Sequence, residues 1–278
     1  MILIKLEGYI GNQLFYFALY ESLKAQGKEV KLDNHSEWKY ESAKQRSTYR
    51  LFDLDYELAS PKDIKRALAP SFPFCKYPVI EDTGSFNPDI FHVRNAYLVG
   101  YWQSEQYFSD PVVRQRIRNN LVPPPRLLEN KDYQSLLREI SQKPSVSLHI
   151  RRTDYLNPAN SPLYDNICTP SYYQNAIDTV LKKEPNAHFY VFSDDKDYAK
   201  KHFTKERFTV VDSTGQEDLF DFFLMRFCRH HILANSTFSW WPAWLDDNPD
   251  SIICAPEKWI NKEGWGEDIY TPRMIRIP

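Results

Sequence analysis

From residue 145 onward the chain alternates short β-type runs with helical ones, and that alternation leaves few folds open. "SVSLHI", "HFYVFSD", "FTVVD", "HHILAN" and "SIICA" read as strands, while "PSYYQNAIDTVLKKE", "DYAKKHF", "EDLFDFFLMRFC" and "TFSWWPAWL" read as the helices between them. Strands joined through helices of this length need right-handed crossovers, so the sheet they build is parallel. The beginning of the chain repeats the theme. "ILIKL" precedes "NQLFYFALYESLKAQG", in which Leu14, Phe17, Ala18 and Leu23 recur at helical spacing and Gly27 supplies a stop. "AYLVGYW" then leads into a helical "SEQYFSDPVVRQRIRNNL". The prolines at 123–125 break the chain, and a further helix is expected from Leu127 to about Ile140. A chain of 278 residues suits two domains. The expected division is an N-terminal domain over 1–125, a linker helix over 126–143 and a C-terminal domain over 144–278.

Composition narrows the function classes. Hydrophobic residues at 42% with 15% aromatics and only 8 glycines argue against disorder. A net charge of -2 gives no electrostatic reason to bind nucleic acid or an anionic membrane, so any bound anion has to be met by local groups. Cys75, Cys168, Cys228 and Cys254 are scattered, with neither zinc-ligand spacing nor a disulfide framework, which fits a reducing cytoplasm. "MILIKLEGYIG" is apolar for too few residues to be a signal sequence or a membrane span. The expectation is a cytoplasmic protein, soluble or peripheral at the inner membrane, with no transmembrane segment.

Ligands of parallel α/β sheets bind beyond the carboxyl ends of the strands. Four polar clusters fall there: "GYIGNQ" at 8–13, "HIRRTD" at 149–154, "FSDD" at 192–195 and "NSTFS" at 235–239. In the last, Asn235, Ser236 or Thr237 can cap a helix whose free N–H groups and dipole favour an anion. Arg151 and Arg152 offer forked donors suited to phosphate. The carboxylates of "FSDD" are acceptor pairs that suit the N1–H and N2–H donors of guanine or the hydroxyls of ribose. A nucleoside diphosphate would satisfy all three clusters. Plainer readings stand beside these: an Arg–Arg–Asp surface ion pair, a Ser–Asp–Asp helix cap or metal-binding pair, a capped tryptophan-rich core helix, and a satisfied strand histidine at His149.

"GNQLF", "GYWQSEQYF", "HIRRTDY", "FSDD" and "HHILANSTFSWWPAWL", in this order over residues 8 to 245, together resemble the bacterial α-1,2-fucosyltransferases, glycosyltransferase family 11. The resemblance implies a GT-B-like α/β fold of two Rossmann-like domains whose parallel sheets face a cleft. It also implies GDP-fucose as co-substrate and an inverting, metal-independent transfer to the 2-OH of a galactoside, on a galactose-containing oligosaccharide or a lipid-linked glycan. Carried onto matching positions, it places Arg151 on the β-phosphate. His149, Arg152, Ser193, Asp194, Asp195, Asn235, Ser236, Thr237 and Ser239 then surround the nucleotide sugar. Gly11, Asn12, Gln13, Tyr101, Trp102, Gln103 and Asp218 lie on the acceptor side. Two departures stand out: Tyr9 and Ile10 where the family has Gly and Leu, which reshapes the acceptor side, and Pro242 where it often has Gly. Asp154, on the same loop as Arg151, is the first candidate for the base that deprotonates the acceptor, with Asp218 second. No metal ligand and no cofactor is assigned. A transferase using GDP-mannose, a metal-dependent GT-A enzyme using "SDD", and a non-catalytic nucleotide- or glycan-binding module are the competing readings.

Overall fold

The computed structural model describes residues 1–35, 52, 54–69 and 77–278. Cys75 lies outside the described residues. The chain forms two units, Met1–Val122 with Glu267–Ile269 and Pro123–Gly266 with Tyr270–Pro278. Each is an α/β unit built on a parallel sheet, as a GT-B-like chain requires.

In the first unit β1 (Ile2–Lys5), β2 (Val30–Asp33), β3 (Val79–Glu81) and β4 (Ala96–Val99) assemble in the order β2-β1-β4-β3. The chain leaves β1 through helix α1 (Ile10–Ala25), which buries Leu14, Phe15, Phe17, Ala18 and Leu23 and is followed by Gly27 at a φ of 75°. Helices α2 (Pro61–Leu68) and α3 (Pro111–Asn120) complete the described helices of this unit. The stretch read as one helix from Ser104 divides in two. Glu105–Phe108 forms a 3-10 turn, and α3 restarts with Pro111 in its first turn under the side chain of Asp110, which accepts from the Val112 and Val113 amides. "AYLVGYW" also stops being a strand at Val99. There Asp82 takes over: its Oδ2 accepts from the amides of Tyr101 (3.1 Å) and Trp102 (2.9 Å), and Trp102 is bent to a φ of 53°.

The second unit carries the order β10-β9-β8-β5-β6-β7. Its strands are β5 (Ser145–Ile150), β6 (His188–Ser193), β7 (Phe208–Val210), β8 (His230–Ile232), β9 (Ile253–Pro256) and β10 (Met274–Ile277). Its helices are α4 (Pro125–Leu128), α5 (Lys131–Gln142), α6 (Ser161–Tyr164), α7 (Pro170–Lys183), α8 (Lys196–His202), α9 (Asp218–Arg226) and α10 (Thr237–Leu245). The helix read from Leu127 to Ile140 is thus two, because the Asn130 side chain accepts from the amides of Asp132 and Tyr133 and starts α5 afresh. Residues 126–143 belong to the second unit, where the buried Tyr133 meets Phe220 of α9 edge to face.

Strand β5 alternates polar and apolar residues, yet all six of its side chains are buried. Val146, Leu148 and Ile150 pack with Tyr172, Ala176 and Val180 of α7 and with Val191 of β6. The polar face is covered by α5 and α9, so its groups have to bond within the protein. Ser147 Oγ lies 2.8 Å from His231 Nδ1, whose Nε2 lies 3.3 Å from Asp246 Oδ2. His231 is fully buried, which makes this chain a strand-pinning network beyond the reach of any substrate.

The Asp82 turn gives a direct test of the first unit. Gly100 sits at a φ of 116°, and a Cβ added there would come 2.3 Å from the Asp82 Cβ. Strain and collision add, so Gly100→Ala is expected to cost at least ~2 kcal/mol in denaturant unfolding; parental stability would refute this account of the turn.

Candidate active site

In each sheet the strand order reverses beside the first strand, between β5 and β8 in the second unit and between β1 and β4 in the first. A reversal opens a crevice at the carboxyl edge, because the connections on its two sides leave in opposite directions. In the second unit that edge carries the loop after β5, the Ser193–Asp195 turn after β6 and the Asn235–Ser239 segment after β8.

The loop after β5 is built around carboxylates. Asp194 Oδ1 accepts from the Arg152 amide (2.9 Å), and Oδ2 accepts from the Thr153 amide (3.2 Å) and its hydroxyl (2.6 Å). The same Oδ2 lies 3.3 Å from Arg151 Nε. Arg151 donates through Nε (2.7 Å) and Nη2 (2.9 Å) to the two oxygens of Asp154. Burial opposes the charge of Arg151, but the Asp154 hydrogen bonds and the negative charge of Asp194 and Asp154 outweigh it and hold its pKa above the ordinary value. Arg152 donates to Asp195 Oδ2 (3.2 Å) and lays its guanidinium 3.7 Å from the centre of the Tyr198 ring. Asp195 caps α8 by accepting from the Tyr198 amide, a bond that, with Arg152, lowers its carboxyl pKa. Ser193 closes the turn, its Oγ accepting from the Asp195 amide at 3.0 Å.

These bonds change several expected roles. Both oxygens of Asp194, and both of Asp195, accept from protein donors, so the pair shapes the arginine loop, and the expected guanine or ribose contact falls to its remaining lone pairs or to another carboxylate. Asp154, the first candidate base, has both oxygens on Arg151. Asn235 is 2% exposed and serves the interior: its amide donates to the Trp259 carbonyl and its Oδ1 accepts from Cys168.

His149 and the start of α10 keep the character of a site. His149 is 4% exposed, lies 5.8 Å from the Phe238 ring, and its Nδ1 has no hydrogen-bond partner among the described residues. Burial, with Arg151 and Lys196 nearby, pushes its pKa down to about 3. Ser236 caps α10 by accepting from the Phe238 amide, and Ser239 Oγ turns back to the Ser236 carbonyl. Thr237 opens the helix, which runs through Pro242 to Leu245.

One further carboxylate went unread in the sequence. Asp221, inside α9, accepts from Ser213 Oγ (2.9 Å) and lies 3.7 Å from Lys196 Nζ, while its Oδ1 has no partner among the described residues. Burial raises its pKa against the pull of Lys196. Lys196 also donates to the Val211 carbonyl, which fixes the ammonium behind the strand ends. The signal was present in "EDLFDFF", where Asp221 is the third acid, three residues after Asp218; Asp218 itself forms the first residue of α9.

In the first unit, Gln13 Nε2 donates to the Gly8 carbonyl and Gln103 Nε2 donates to Asn12 Oδ1 (2.9 Å), so the start of α1 is joined to the loop after β4. Gly11 and Asn12 lie in the first turn of α1, and Tyr9, at its N-cap, is 47% exposed. Tyr101 and Trp102 hang on Asp82, as above. Among the described residues no group of three or more His, Cys, Asp or Glu is arranged to hold a metal ion, and no helix is long and apolar enough to cross a membrane.

Comparison with known proteins bears on this layout. The sequence profile of Glycosyl transferase family 11 matches residues 77–277. An alpha-1,2-colitosyltransferase of Escherichia coli is 29% identical over 95% of this chain and 93% of its own length. An O-antigen biosynthesis glycosyltransferase of the same organism is 30% identical over 60% of this chain and 57% of its own. A galactoside alpha-(1,2)-fucosyltransferase of Aotus azarae is 26% identical over 63% of this chain and 56% of its own.

The buried His149 makes a pH prediction. Its folded-state pKa of about 3 lies below the unfolded value, so protons bind preferentially to the unfolded chain. The stability it contributes is complete above about pH 6.5 and is lost as pH falls toward 3, at up to ~1.4 kcal/mol per pH unit. In an NMR titration of the folded protein the His149 ring is expected to stay neutral down to pH 4. A midpoint near 6 would overturn the assignment.

Proposed function

The chain belongs to glycosyl transferase family 11, and from that premise we propose that it is an inverting α-1,2-fucosyltransferase that moves L-fucose from GDP-fucose to the 2-OH of a galactoside. What carries this reading is the placement of the Arg151 guanidinium and the N-terminus of α10 at the reversal between β5 and β8. Inversion is a single displacement. The acceptor oxygen forms its bond to the anomeric carbon while that carbon's bond to the β-phosphate oxygen breaks, and the acceptor proton leaves to a base. Positive charge develops on the sugar, as in glycoside hydrolysis, and negative charge on the departing phosphate.

Arg151 and the α10 amides stabilise that departing charge more than the bound ground state, which is where such donors accelerate a reaction. Asp154 holds the Nε and Nη2 side of Arg151 and leaves Nη1 and the outer Nη2 hydrogen for phosphate. Asp154 is therefore assigned to orienting Arg151. His149, neutral and with an open Nδ1, accepts from or donates to the nucleotide without adding charge. Asp221 is assigned to guanine: its unpaired oxygen, buried in the free protein, matches the N1–H and N2–H donors and would have to be uncovered as the nucleotide enters. The transfer is proposed to need no metal ion, the diphosphate charge being met by Arg151 and the helix start. The acceptor galactoside is assigned to the first unit.

A second donor follows from one observation: the relative matched over 95% of this chain is a colitosyltransferase. Colitose is fucose without its 3-hydroxyl. Paired assays with GDP-fucose and GDP-colitose on a galactoside acceptor, reading GDP release and the linkage of the product, decide between the two. A fucosylated product with no GDP release above background from GDP-colitose is the expected result.

GDP is expected to stabilise the protein in the presence of EDTA by ~2.7 kcal/mol at 100 times its dissociation constant. A shift seen only with added Mn or Mg would overturn metal independence. Asp221→Ala is expected to weaken GDP by ~10- to 100-fold, the worth of a charged hydrogen bond, and to leave inorganic pyrophosphate unaffected; equal losses for both ligands would remove Asp221 from the base. Because lysine cannot hold Asp154 and phosphate together, Arg151→Lys is expected to lose ~100-fold or more in kcat with a smaller change in KM. Near-parental kcat with a raised KM would make Arg151 a ground-state anchor.

A further inference from the structure

The donor site proposed above is assembled from two separate pieces of chain, the Arg151 loop after β5 and the start of α10 after β8. A diphosphate that bridges them is sensitive to the distance between them. Strands β5 and β8 are neighbours, paired from Val146 with His230 to Leu148 with Ile232, but the register fixes only the strands. The ladder ends at Leu148 and Ile232, and beyond it side chains have to hold the pieces in place.

One side chain spans them. Tyr155 donates its hydroxyl to the Asn235 carbonyl at 2.7 Å, the residue immediately before the Ser236 cap. Its ring stacks on Tyr164 of α6 at 4.5 Å with the planes 16° apart, so the phenol has little freedom to turn away. Asn235 is itself immobilised through Trp259 and Cys168. The opposite end of the loop is fixed by the three hydrogen bonds to Asp194. Arg151 thus sits on a segment pinned to the end of β6 on one side and to the β8–α10 junction on the other. The Tyr155 hydroxyl joins the two proposed phosphate-binding pieces directly.

We propose that Tyr155 is a positioning residue for the donor diphosphate: its hydroxyl sets the separation of the Arg151 guanidinium from the α10 N-terminus and touches neither donor nor acceptor. The inference rests on the donor reading given above. It makes a claim that a contact residue or a mere stabiliser would not meet, because a separation between two pieces matters only while both of them hold the ligand. Once the Arg151 side chain is gone, the Tyr155 hydroxyl should have nothing left to position.

The test is a double-mutant cycle on GDP affinity, measured by calorimetry at fixed salt, with melting temperature as the control for folding. Tyr155→Phe keeps the ring and its stack on Tyr164 and removes only the hydroxyl. It is expected to weaken GDP about 5- to 10-fold in the parent and less than 2-fold in an Arg151→Ala background, while kcat in the otherwise parental enzyme falls by at least the same factor. Equal weakening in both backgrounds, or none in the parent, would overturn the inference while leaving the donor reading intact. A parent that binds no GDP would overturn the donor reading and this inference together.

Discussion

A parallel strand covered on both faces has to bury every side chain it carries, and β5 carries Ser145, Ser147 and His149 on the face under α5 and α9. Each buried polar group without a partner costs on the order of 1–3 kcal/mol, which is why the interior answers them one by one. Ser145 Oγ accepts from the Arg229 amide, and Ser147 meets His231, which meets Asp246. The series ends at His149, nearest the carboxyl edge, and there the supply of partners stops: Nδ1 is left open and the ring is held neutral. The strand changes from structural to functional along its own length, at the point where it reaches the reversal in strand order.

The charges beyond that point are acidic by one in number and unequal in placement. Arg151, Arg152 and Lys196 face Asp154, Asp194, Asp195 and Asp221. By count the cluster is not a positive patch, in keeping with a chain whose net charge is -2. Direction decides the matter. Asp194 draws the Arg152 and Thr153 amides and the Arg151 Nε toward the strand end, and Asp154 takes the inner edge of the same guanidinium. A guanidinium has five donors in a rigid plane, so occupying the inner edge aims the rest outward. Carboxylates behind a cation make it a better oriented donor while restraining its side-chain entropy. Exposed surface pairs are worth little, but these are tied to backbone amides and stacked on Tyr198, so the geometry is fixed before any ligand arrives.

Much of this was legible in the residues themselves. The β/α alternation after 145 announced the parallel sheet, and the strand ends announced where polar residues would gather. Short helices were harder, because local capping decides them: Asp110 and Asn130 restart helices inside stretches whose periodicity reads as continuous. Strands β2, β3 and β10 passed unread, each of them three or four residues long. In the site, residue type identified the cluster but could not divide its labour. Asp194, Asp195 and Asp221 are equally good acceptors on paper. Which of them is consumed by the protein depends on which amides fold back within 3.2 Å, and that is a property of the loop in three dimensions. Asn235 likewise reads as a ligand in "NSTFS" and turns out to hold Trp259 and Cys168.

The first unit presents a different chemistry at its own reversal. The edge beside β1 and β4 carries amides and rings, Asn12, Gln13, Gln103, Tyr9 and Tyr101, and the acid that organises them, Asp82, turns its oxygens to the amides of Gly84, Tyr101 and Trp102. A neutral, hydroxyl-rich ligand is met by groups of this kind, which donate and accept without a desolvated charge, and aromatic faces add contact area at small entropic cost. A diphosphate needs the opposite. The same topological device, a crevice at the reversal of a parallel sheet, is thus furnished with guanidinium and helix dipole in one unit and with amide and ring in the other. That division is the one proposed above, with the charged donor on the second unit and the neutral acceptor on the first. The bent backbone at Trp102 is tolerated: the 53° φ is stabilised by the Asp82 bond and by an edge-to-face contact with Tyr107. The strain of an unfavourable φ, ~1–3 kcal/mol, is offset by those two contacts.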